Sequence, residues 1–162
     1  MAEEIIVRVA DLRAGGAGDV LVTLGLGSCV AIALYDERAR VGGLAHVLLP
    51  SRSLSGREND TPAKFPQSAV PALVEEMTRR GADHRRLTGR LIGGASMFAN
   101  LAPPGSIHMG ERNVVASREV LHGLGVPVTA EAVGGDFGRS VRFHTEDGRI
   151  TIRSVAHGEQ TL

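Results

Sequence analysis

The residues with the clearest chemical potential are one cysteine and one histidine. Cys29 is the only cysteine of the 162-residue chain, and His46 follows it by 17 residues. A free thiol has a pKa of about 8.5 and is mostly protonated at neutral pH, but a nearby imidazole can take its proton and return it to a leaving group. Thr23, six residues before the cysteine, could orient the imidazole through its hydroxyl or carbonyl. Together they form a candidate acyl-transfer site.

The turn before the cysteine supplies the other element that acyl transfer needs. Gly25, Gly27 and Ser28 place flexible backbone beside the thiol, and backbone N–H groups near Gly27 and Ser28 could stabilise an oxyanion. Spacing alone leaves a second interpretation open. An isolated cysteine at the start of an apolar strand is more often buried and inert, a histidine in such a strand is often structural, and threonine is a common strand residue.

Composition excludes several classes of function. A single cysteine cannot form an internal disulfide or a cysteine-rich zinc site. The 18 basic and 18 acidic side chains balance to a net charge of zero, which argues against a nucleic-acid-binding protein. The Gly25-Leu-Gly27 pattern lacks the third glycine and the following helix of a dinucleotide site, so no cofactor is predicted. No metal site is predicted either, because the six histidines are widely scattered: His46, His84, His108, His122, His144 and His157.

The chain also lacks the usual signals for export or membrane insertion. No apolar run approaches the roughly 18 residues that a membrane span needs. The start, Met1-Ala-Glu-Glu, is acidic and does not resemble a signal peptide, and a lone cysteine is compatible with a reducing compartment. The length suits one domain of roughly 100–200 residues. We therefore expect a single cytoplasmic domain over residues 1–162, without membrane insertion.

Hydrophobic periodicity predicts an α+β fold with mainly antiparallel or mixed sheets packed against two main helices, a layered sandwich. Residues 29–35 are almost wholly apolar, which is typical of a strand buried on both faces. A turn at 36–40 and a returning strand at 41–49 form a hairpin that would bring His46 near Cys29. The other predicted strands span 5–9, 19–24, 90–92, 126–133, 141–145 and 149–155, the last two joined by an Asp-Gly turn.

The helices are predicted at 68–80 and 111–123 from their apolar stripes. Ser68 is the expected N-cap of the first helix, Pro71 is expected in its first turn, and Gly81 is its expected stop signal. Residues 51–62 are polar and have no apolar period, so they are predicted to form a mobile loop.

Several blocks of sequence, in order, resemble the CheD family of chemoreceptor glutamine deamidases. The resemblance runs from about residue 20 to about residue 155 and includes the Gly-Ser-Cys segment and the Gly-Gly-Leu-Ala-His segment. Its later blocks are Gly93-Gly94-Ala-Ser-Met97-Phe98, Met109-Gly110-Glu-Arg112-Asn113 and Gly134-Gly135-Asp-Phe-Gly138-Arg139. The family's catalytic Cys, His and Thr fall on Cys29, His46 and Thr23.

The resemblance implies an enzyme that converts glutamine side chains of methyl-accepting chemotaxis receptors to glutamate through a thioester on Cys29. It also implies a CheC phosphatase as a further partner in some organisms. Residues 51–62 are a candidate recognition element for the receptor. Two alternatives stay open: a non-catalytic CheD-like adaptor that binds receptors or a phosphatase, and a cysteine amidase that acts on a small molecule in a deep pocket.

Overall fold

A computed structural model describes residues 2–98, 101 and 108–162 of the chain. Within these residues, two long helices accompany ten strands. The helices are α1 (Pro66–Arg79) and α2 (Met109–Gly123), and single 3-10 turns lie at Arg52–Leu54, Pro62–Lys64 and His84–Arg86. The strands are β1 (Glu4–Ile6), β2 (Leu12–Gly15), β3 (Val20–Leu26), β4 (Val30–Asp36), β5 (Val41–Val47), β6 (Thr88–Gly93), β7 (Val128–Val133), β8 (Arg139–His144), β9 (Ile150–Ser154) and β10 (Gly158–Thr161).

The strands form two mixed sheets that stack in layers with the helices. The central sheet has the order β2-β5-β4-β6-β7, and the outer sheet has the order β1-β3-β8-β9-β10. Both helices pack on the central sheet, α1 mainly on β5 and β2 and α2 on β4 and β6. The other face of the central sheet packs against the outer sheet. The predicted α+β class with two main helices is confirmed.

Strand β4 is the centre of the molecule because it is buried on both faces, as its apolar sequence predicts. Ile32 and Leu34 pack in the core between the central sheet and the helices. Ala31 and Ala33 pack in a second core between the two sheets. Strands β4 and β5 pair antiparallel over their whole length, so the predicted hairpin is also confirmed.

A β-bulge interrupts β3 close to its end. Thr23 pairs with Val141 and Leu26 pairs with Arg139, so β3 has one more residue than its partner in this interval. Gly25 supplies the extra residue with a positive φ of 69°, a conformation that glycine adopts without strain. Because of the bulge, both Thr23 and Leu26 point into the inter-sheet core, where both are fully buried.

The start of α1 differs from the prediction. The helix begins at Pro66, and Phe65 is its N-cap without a capping side chain. Ser68 lies inside the first turn, where its hydroxyl donates to the Pro62 carbonyl at 2.6 Å. Pro71 lies in the second turn rather than the first. The relevant signal is Pro66, since proline is favoured at the first helical position, where its missing N–H costs nothing.

Two edge strands, β2 and β10, are absent from the sequence prediction. Leu12–Gly15 and Gly158–Thr161 are short and lack apolar alternation, and every residue of β10 is exposed. Strand β2 pairs with β5 and strand β10 pairs with β9. These strands form because the neighbouring strand offers backbone hydrogen-bond partners, and their own composition does not predict them. The residues at 51–62 form the expected loop, although Asp60 ties it together by accepting hydrogen bonds from Ser55 and Lys64.

Candidate active site

The strand register brings Cys29 and His46 to the same face of the central sheet. His46 on β5 lies directly opposite Ala31 on β4. Cys29 precedes Ala31 by two residues and packs in the same inter-sheet core. Side chains two residues apart along a strand share a face, so Cys29 and His46 are diagonal neighbours, a relation within reach of long side chains. The predicted hairpin therefore places the thiol and the imidazole on the same face of the central sheet.

Thr23 reaches the same place from the outer sheet. Its Oγ1 atom lies 2.7 Å from His46 Nδ1 and 2.6 Å from the carbonyl oxygen of Val7. A hydroxyl has one proton, and a carbonyl can only accept, so Thr23 donates to Val7. His46 Nδ1 must then donate to Thr23 Oγ1. This network places the ring proton on Nδ1 and leaves Nε2 with its lone pair free to act as a base.

The Val7 carbonyl is a site component that the sequence prediction missed. The segment after β1 crosses from the outer sheet to the central sheet, and its backbone holds both partners of the hydrogen-bond chain. On the outer sheet, the Val7 N–H donates to the Val22 carbonyl at 2.7 Å. On the central sheet, the His46 N–H donates to the Asp11 carbonyl at 3.0 Å, and the His46 carbonyl accepts from the Ala10 N–H at 2.9 Å. Main-chain atoms leave no signature in residue type, so no sequence signal could have identified them.

Burial keeps His46 neutral. The side chain is fully buried, and desolvation lowers its pKa from 6.5 to about 4. Nε2 has no hydrogen-bond partner among the described residues. A buried imidazole nitrogen without a partner is costly in a purely structural histidine, because buried polar groups are normally paired. The free Nε2 therefore favours a chemical role for His46 over a structural one.

Cys29 is also neutral in this environment. The residue is 8% exposed, and burial raises the pKa of its thiol, an effect only partly opposed by its own backbone N–H. At neutral pH the resting pair is thus a thiol and an imidazole rather than a thiolate and an imidazolium. Such a pair reacts when proton transfer to His46 accompanies attack on a carbonyl, since only then is the developing charge stabilised.

The Gly-Ser-Cys turn is held by its carbonyl oxygens. Gly94 N–H donates to the Cys29 carbonyl and Ala95 N–H donates to the Gly27 carbonyl, both at 2.8 Å. A Cβ atom at Gly93 would collide with the Cys29 carbonyl, so only glycine permits this approach. Among the described hydrogen bonds, none joins the N–H of Gly27, Ser28 or Cys29 to another residue, although the Cys29 N–H interacts with its own thiol. The N–H groups of Gly27 and Ser28 are the oxyanion donors that the sequence predicts, and this role stays a prediction.

Two open clefts flank the turn and meet at Met97. One, of about 430 Å³, is lined by Ser28, the 95–98 segment, Leu101 and the start of α2. The other, of about 550 Å³, is lined by Gly25, residues 136–140 and residues 153–156. Phe98 is 74% exposed and Leu101 is 82% exposed beside the first cleft. None of residues 51–62 lines either cleft, so the structure does not bring the candidate recognition loop to this place.

Arg139 lines the second cleft but is buried rather than solvated. The residue is 7% exposed, its guanidinium stacks over the Phe137 ring at 4.1 Å, and Nη1 donates to the Gly134 carbonyl at 2.8 Å. Desolvation lowers its pKa. These contacts give Arg139 a role in shaping the loop before β8.

The low pKa of His46 predicts a pH dependence of stability. Between pH 6.5 and about 4 the unfolded chain binds a proton that the folded chain excludes, so stability rises with pH in this window. The contribution is fully present above pH 6.5 and is lost as pH falls to about 4. Its size is on the order of 3 kcal/mol, because a pKa that differs between the folded and unfolded states contributes directly to the free energy of unfolding.

Denaturant titrations of the native protein and of His46→Gln at several pH values measure this contribution. We expect the difference in unfolding free energy between the two proteins to change across this window and to level off above it. Titration of the other histidines and carboxylates cancels in the difference. A difference that stays constant with pH would show that His46 has an ordinary pKa in the folded state.

Comparisons with known proteins show the family to which the chain belongs. The family model described as CheD chemotactic sensory transduction matches residues 48–154. The probable chemoreceptor glutamine deamidase CheD of Caldanaerobacter subterraneus subsp. tengcongensis is 43% identical over 159 residues, which cover 96% of this chain and 97% of that protein. Probable chemoreceptor glutamine deamidase CheD 2 of Geobacter metallireducens is 45% identical, with 96% of both chains covered.

A further relative, the probable chemoreceptor glutamine deamidase CheD of Archaeoglobus fulgidus, is 42% identical over 159 residues and 98% of both chains. Identity at this level over nearly complete chains defines a shared fold and family. The chain belongs to the CheD family, as its sequence blocks predict. A solved structure, Bacillus licheniformis hypothetical protein YfiH, aligns with a TM-score of 0.43 at 12% identity over 70% of this chain and 46% of that one, a likeness too weak to bear on function.

Proposed function

We propose that this chain is a protein-glutamine deamidase that acts on chemoreceptors. One observation carries the proposal: Thr23 orients His46 so that its unpartnered Nε2 lies on the face that Cys29 shares. Relatives at 42–45% identity over nearly the whole chain are named probable chemoreceptor glutamine deamidases. The names of these relatives indicate chemoreceptor glutamine as the substrate, and a thiol with a neighbouring base is suited to attack on its side-chain amide.

In the proposed reaction, the Cys29 thiol attacks the side-chain amide carbon of glutamine while His46 Nε2 takes the thiol proton. Backbone N–H groups at Ser28 and Cys29 stabilise the oxyanion. His46 then gives its proton to the departing ammonia, which leaves a thioester on Cys29. Water, deprotonated by His46, hydrolyses the thioester and yields glutamate and the free thiol. Thr23 and the Val7 carbonyl hold the imidazole in the required tautomer throughout.

The third member of this triad is a neutral hydroxyl rather than a carboxylate. A carboxylate would stabilise the imidazolium that forms during proton transfer, whereas Thr23 offers only a dipole. His46 is accordingly a modest base with a low pKa. We therefore expect slow turnover, which suits an enzyme that modifies each receptor site once rather than one that consumes a metabolite.

The surroundings of the thiol suit a protein substrate. The clefts beside the Gly-Ser-Cys turn are open, and Met97, Phe98 and Leu101 expose apolar surface next to them. An apolar face of a receptor helix can bury this surface while a glutamine reaches Cys29. A small-molecule amidase would need an enclosed pocket. This surface is a better candidate for receptor recognition than residues 51–62.

Several parts of the proposal come from the family resemblance. We propose that residues 1–162 act as one deamidase domain in the cytoplasm, where the signalling domains of chemoreceptors lie. No described helix is long and apolar enough to cross a membrane. A CheC phosphatase as a second partner stays a prediction. The alternative of a non-catalytic adaptor is weakened by the free Nε2 of His46, which binding alone does not require.

The test is the intact mass of a receptor cytoplasmic fragment after incubation with the native protein or with Cys29→Ala. We expect a gain of about one mass unit for each modified glutamine with the native protein, and none with the variant, because the thiol is the nucleophile. Peptide mapping then locates the modified glutamines. Binding of the fragment without a mass change in either sample would favour the adaptor, and ammonia release from free glutamine would favour the small-molecule amidase.

A further inference from the structure

Asn113 connects the two segments that carry the nucleophile and the base. The residue lies in the first half of α2 and is fully buried. Its Nδ2 atom donates to the Ser28 carbonyl at 2.9 Å and to the Leu48 carbonyl at 3.1 Å. Ser28 directly precedes Cys29, and Leu48 follows His46 by two residues. One side chain therefore bridges the nucleophile turn and the end of the base-bearing strand.

The hydrogen bonds determine the orientation of the Asn113 amide. Both partners are carbonyl oxygens, so the NH₂ group must face them. The Oδ1 atom then points away and is buried without a partner among the described residues. An unpaired buried oxygen is unfavourable, and an apolar residue of similar size would avoid it. Packing alone therefore does not account for asparagine at this position.

The hold on the Ser28 carbonyl also orients the next N–H group. The carbonyl of Ser28 and the N–H of Cys29 belong to one planar trans peptide and point in opposite directions. With the carbonyl bound by Asn113, the Cys29 N–H is directed away from α2. In serine proteases the N–H of the nucleophile itself is one of the two oxyanion donors, and the Cys29 N–H has the corresponding position.

We propose that Asn113 is a positioning residue that holds the Ser28–Cys29 peptide with its N–H directed at the oxyanion. This inference rests on the proposed deamidase function. Ala95 orients the preceding peptide, Gly27–Ser28, in the same way. Its N–H donates to the Gly27 carbonyl and so fixes the direction of the Ser28 N–H. The Ala95 donor is a backbone N–H that a substitution would not remove. The Asn113 donor is a side-chain group that a substitution does remove, which makes the proposal testable.

The decisive comparison is between deamidation and simple alkylation of Cys29. Deamidation forms an oxyanion, whereas displacement on iodoacetamide occurs at a saturated carbon and forms none. In Asn113→Leu, which removes the donor, and in Asn113→Asp, which keeps the side-chain outline but replaces the NH₂ group with an oxygen, we expect kcat on the receptor fragment to fall about 10- to 100-fold. We expect the KM for the receptor fragment, and the rate constant of iodoacetamide alkylation at each pH, to stay within about twofold of the native values.

Ser117→Ala is the matched control. Ser117 lies one turn later on α2, is fully buried, and donates only to the Asn113 carbonyl at 2.7 Å. Its loss removes a buried hydrogen bond of the same helix without touching Ser28 or Leu48, so kcat and alkylation should both remain native. Melting temperatures of all variants show how much each change costs in stability.

Three results would overturn the proposal. Native kcat in folded Asn113→Leu and Asn113→Asp would show that the peptide needs no support. A parallel fall in kcat and alkylation rate would show a general disturbance of the thiol, and unfolding of both variants beside a folded Ser117→Ala would assign Asn113 to stability alone. If the native protein itself leaves the receptor fragment unmodified, the proposed function fails instead, and the two failures are thereby distinguished.

Discussion

Replacement of His46 by glutamine is expected to lower kcat for receptor deamidation at least about 10³-fold. Glutamine fills a similar volume but cannot take the thiol proton or deliver it to ammonia, and general acid–base catalysis contributes typically 10²–10⁴-fold. The loss of kcat should exceed the general acid–base contribution alone. Burial raises the pKa of the Cys29 thiol, so without a base little thiolate is present to attack. Single-turnover mass spectrometry of the receptor fragment measures the effect.

The pH dependence of the same variant separates this role from a structural one. Residual activity in His46→Gln should increase with pH as hydroxide replaces the missing base, whereas the native rate should be level above pH 6.5, where His46 is already neutral. His144→Gln is a matched control, since this histidine lies on β8 outside the site. Native-like turnover in a folded His46→Gln protein would remove His46 from the mechanism.

Replacement of Thr23 by valine is expected to be the second most damaging change. The two side chains have similar outlines, but valine leaves both the Val7 carbonyl and the His46 Nδ1–H without a partner inside the core. Each unsatisfied buried group costs about 1–3 kcal/mol, so for the two groups we expect a loss of about 2–6 kcal/mol in unfolding free energy. The ring is also free to move its proton to Nε2, the wrong tautomer for a base.

A wrong tautomer costs about 10⁴-fold in a serine protease, and we expect a fall in kcat of about 10²- to 10⁴-fold for Thr23→Val. Thr23→Ser retains the hydroxyl and should recover most of the activity with a smaller loss of stability from the missing methyl group. Denaturant unfolding and single-turnover assays together give both quantities. Equal activity in the valine and serine variants would show that the hydroxyl does not orient His46.

The sequence predicts the part of the site that depends on side-chain type and on strands with strong patterns. The apolar run at 29–35 and the polar turn after it are sufficient to predict a hairpin, and the hairpin puts His46 on the same face of the central sheet as Cys29. The sequence predicts that Thr23 orients His46, but it leaves open whether the hydroxyl or the carbonyl of Thr23 makes the contact. The hydroxyl makes the contact.

The remaining parts depend on backbone atoms and on long-range packing. Nothing in residue type marks the Val7 carbonyl, which is brought to Thr23 by the parallel pairing of β1 with β3. Asn113 occurs in a block that resembles the family, but its contacts with Ser28 and Leu48 span 85 and 65 residues. Such contacts follow from how α2 lies on the central sheet, which periodicity does not determine.

Burial of Cys29 has a consequence for the durability of the protein. Peroxide oxidises the thiolate rather than the thiol, and susceptibility follows thiolate character together with exposure. Cys29 is 8% exposed, and its pKa is raised by burial. Between encounters with substrate the sulfur is therefore protected from conversion to sulfenic and sulfinic acids. A chain with one cysteine has no second thiol that could rescue an oxidised Cys29 by an internal disulfide, so this protection would preserve the proposed nucleophile.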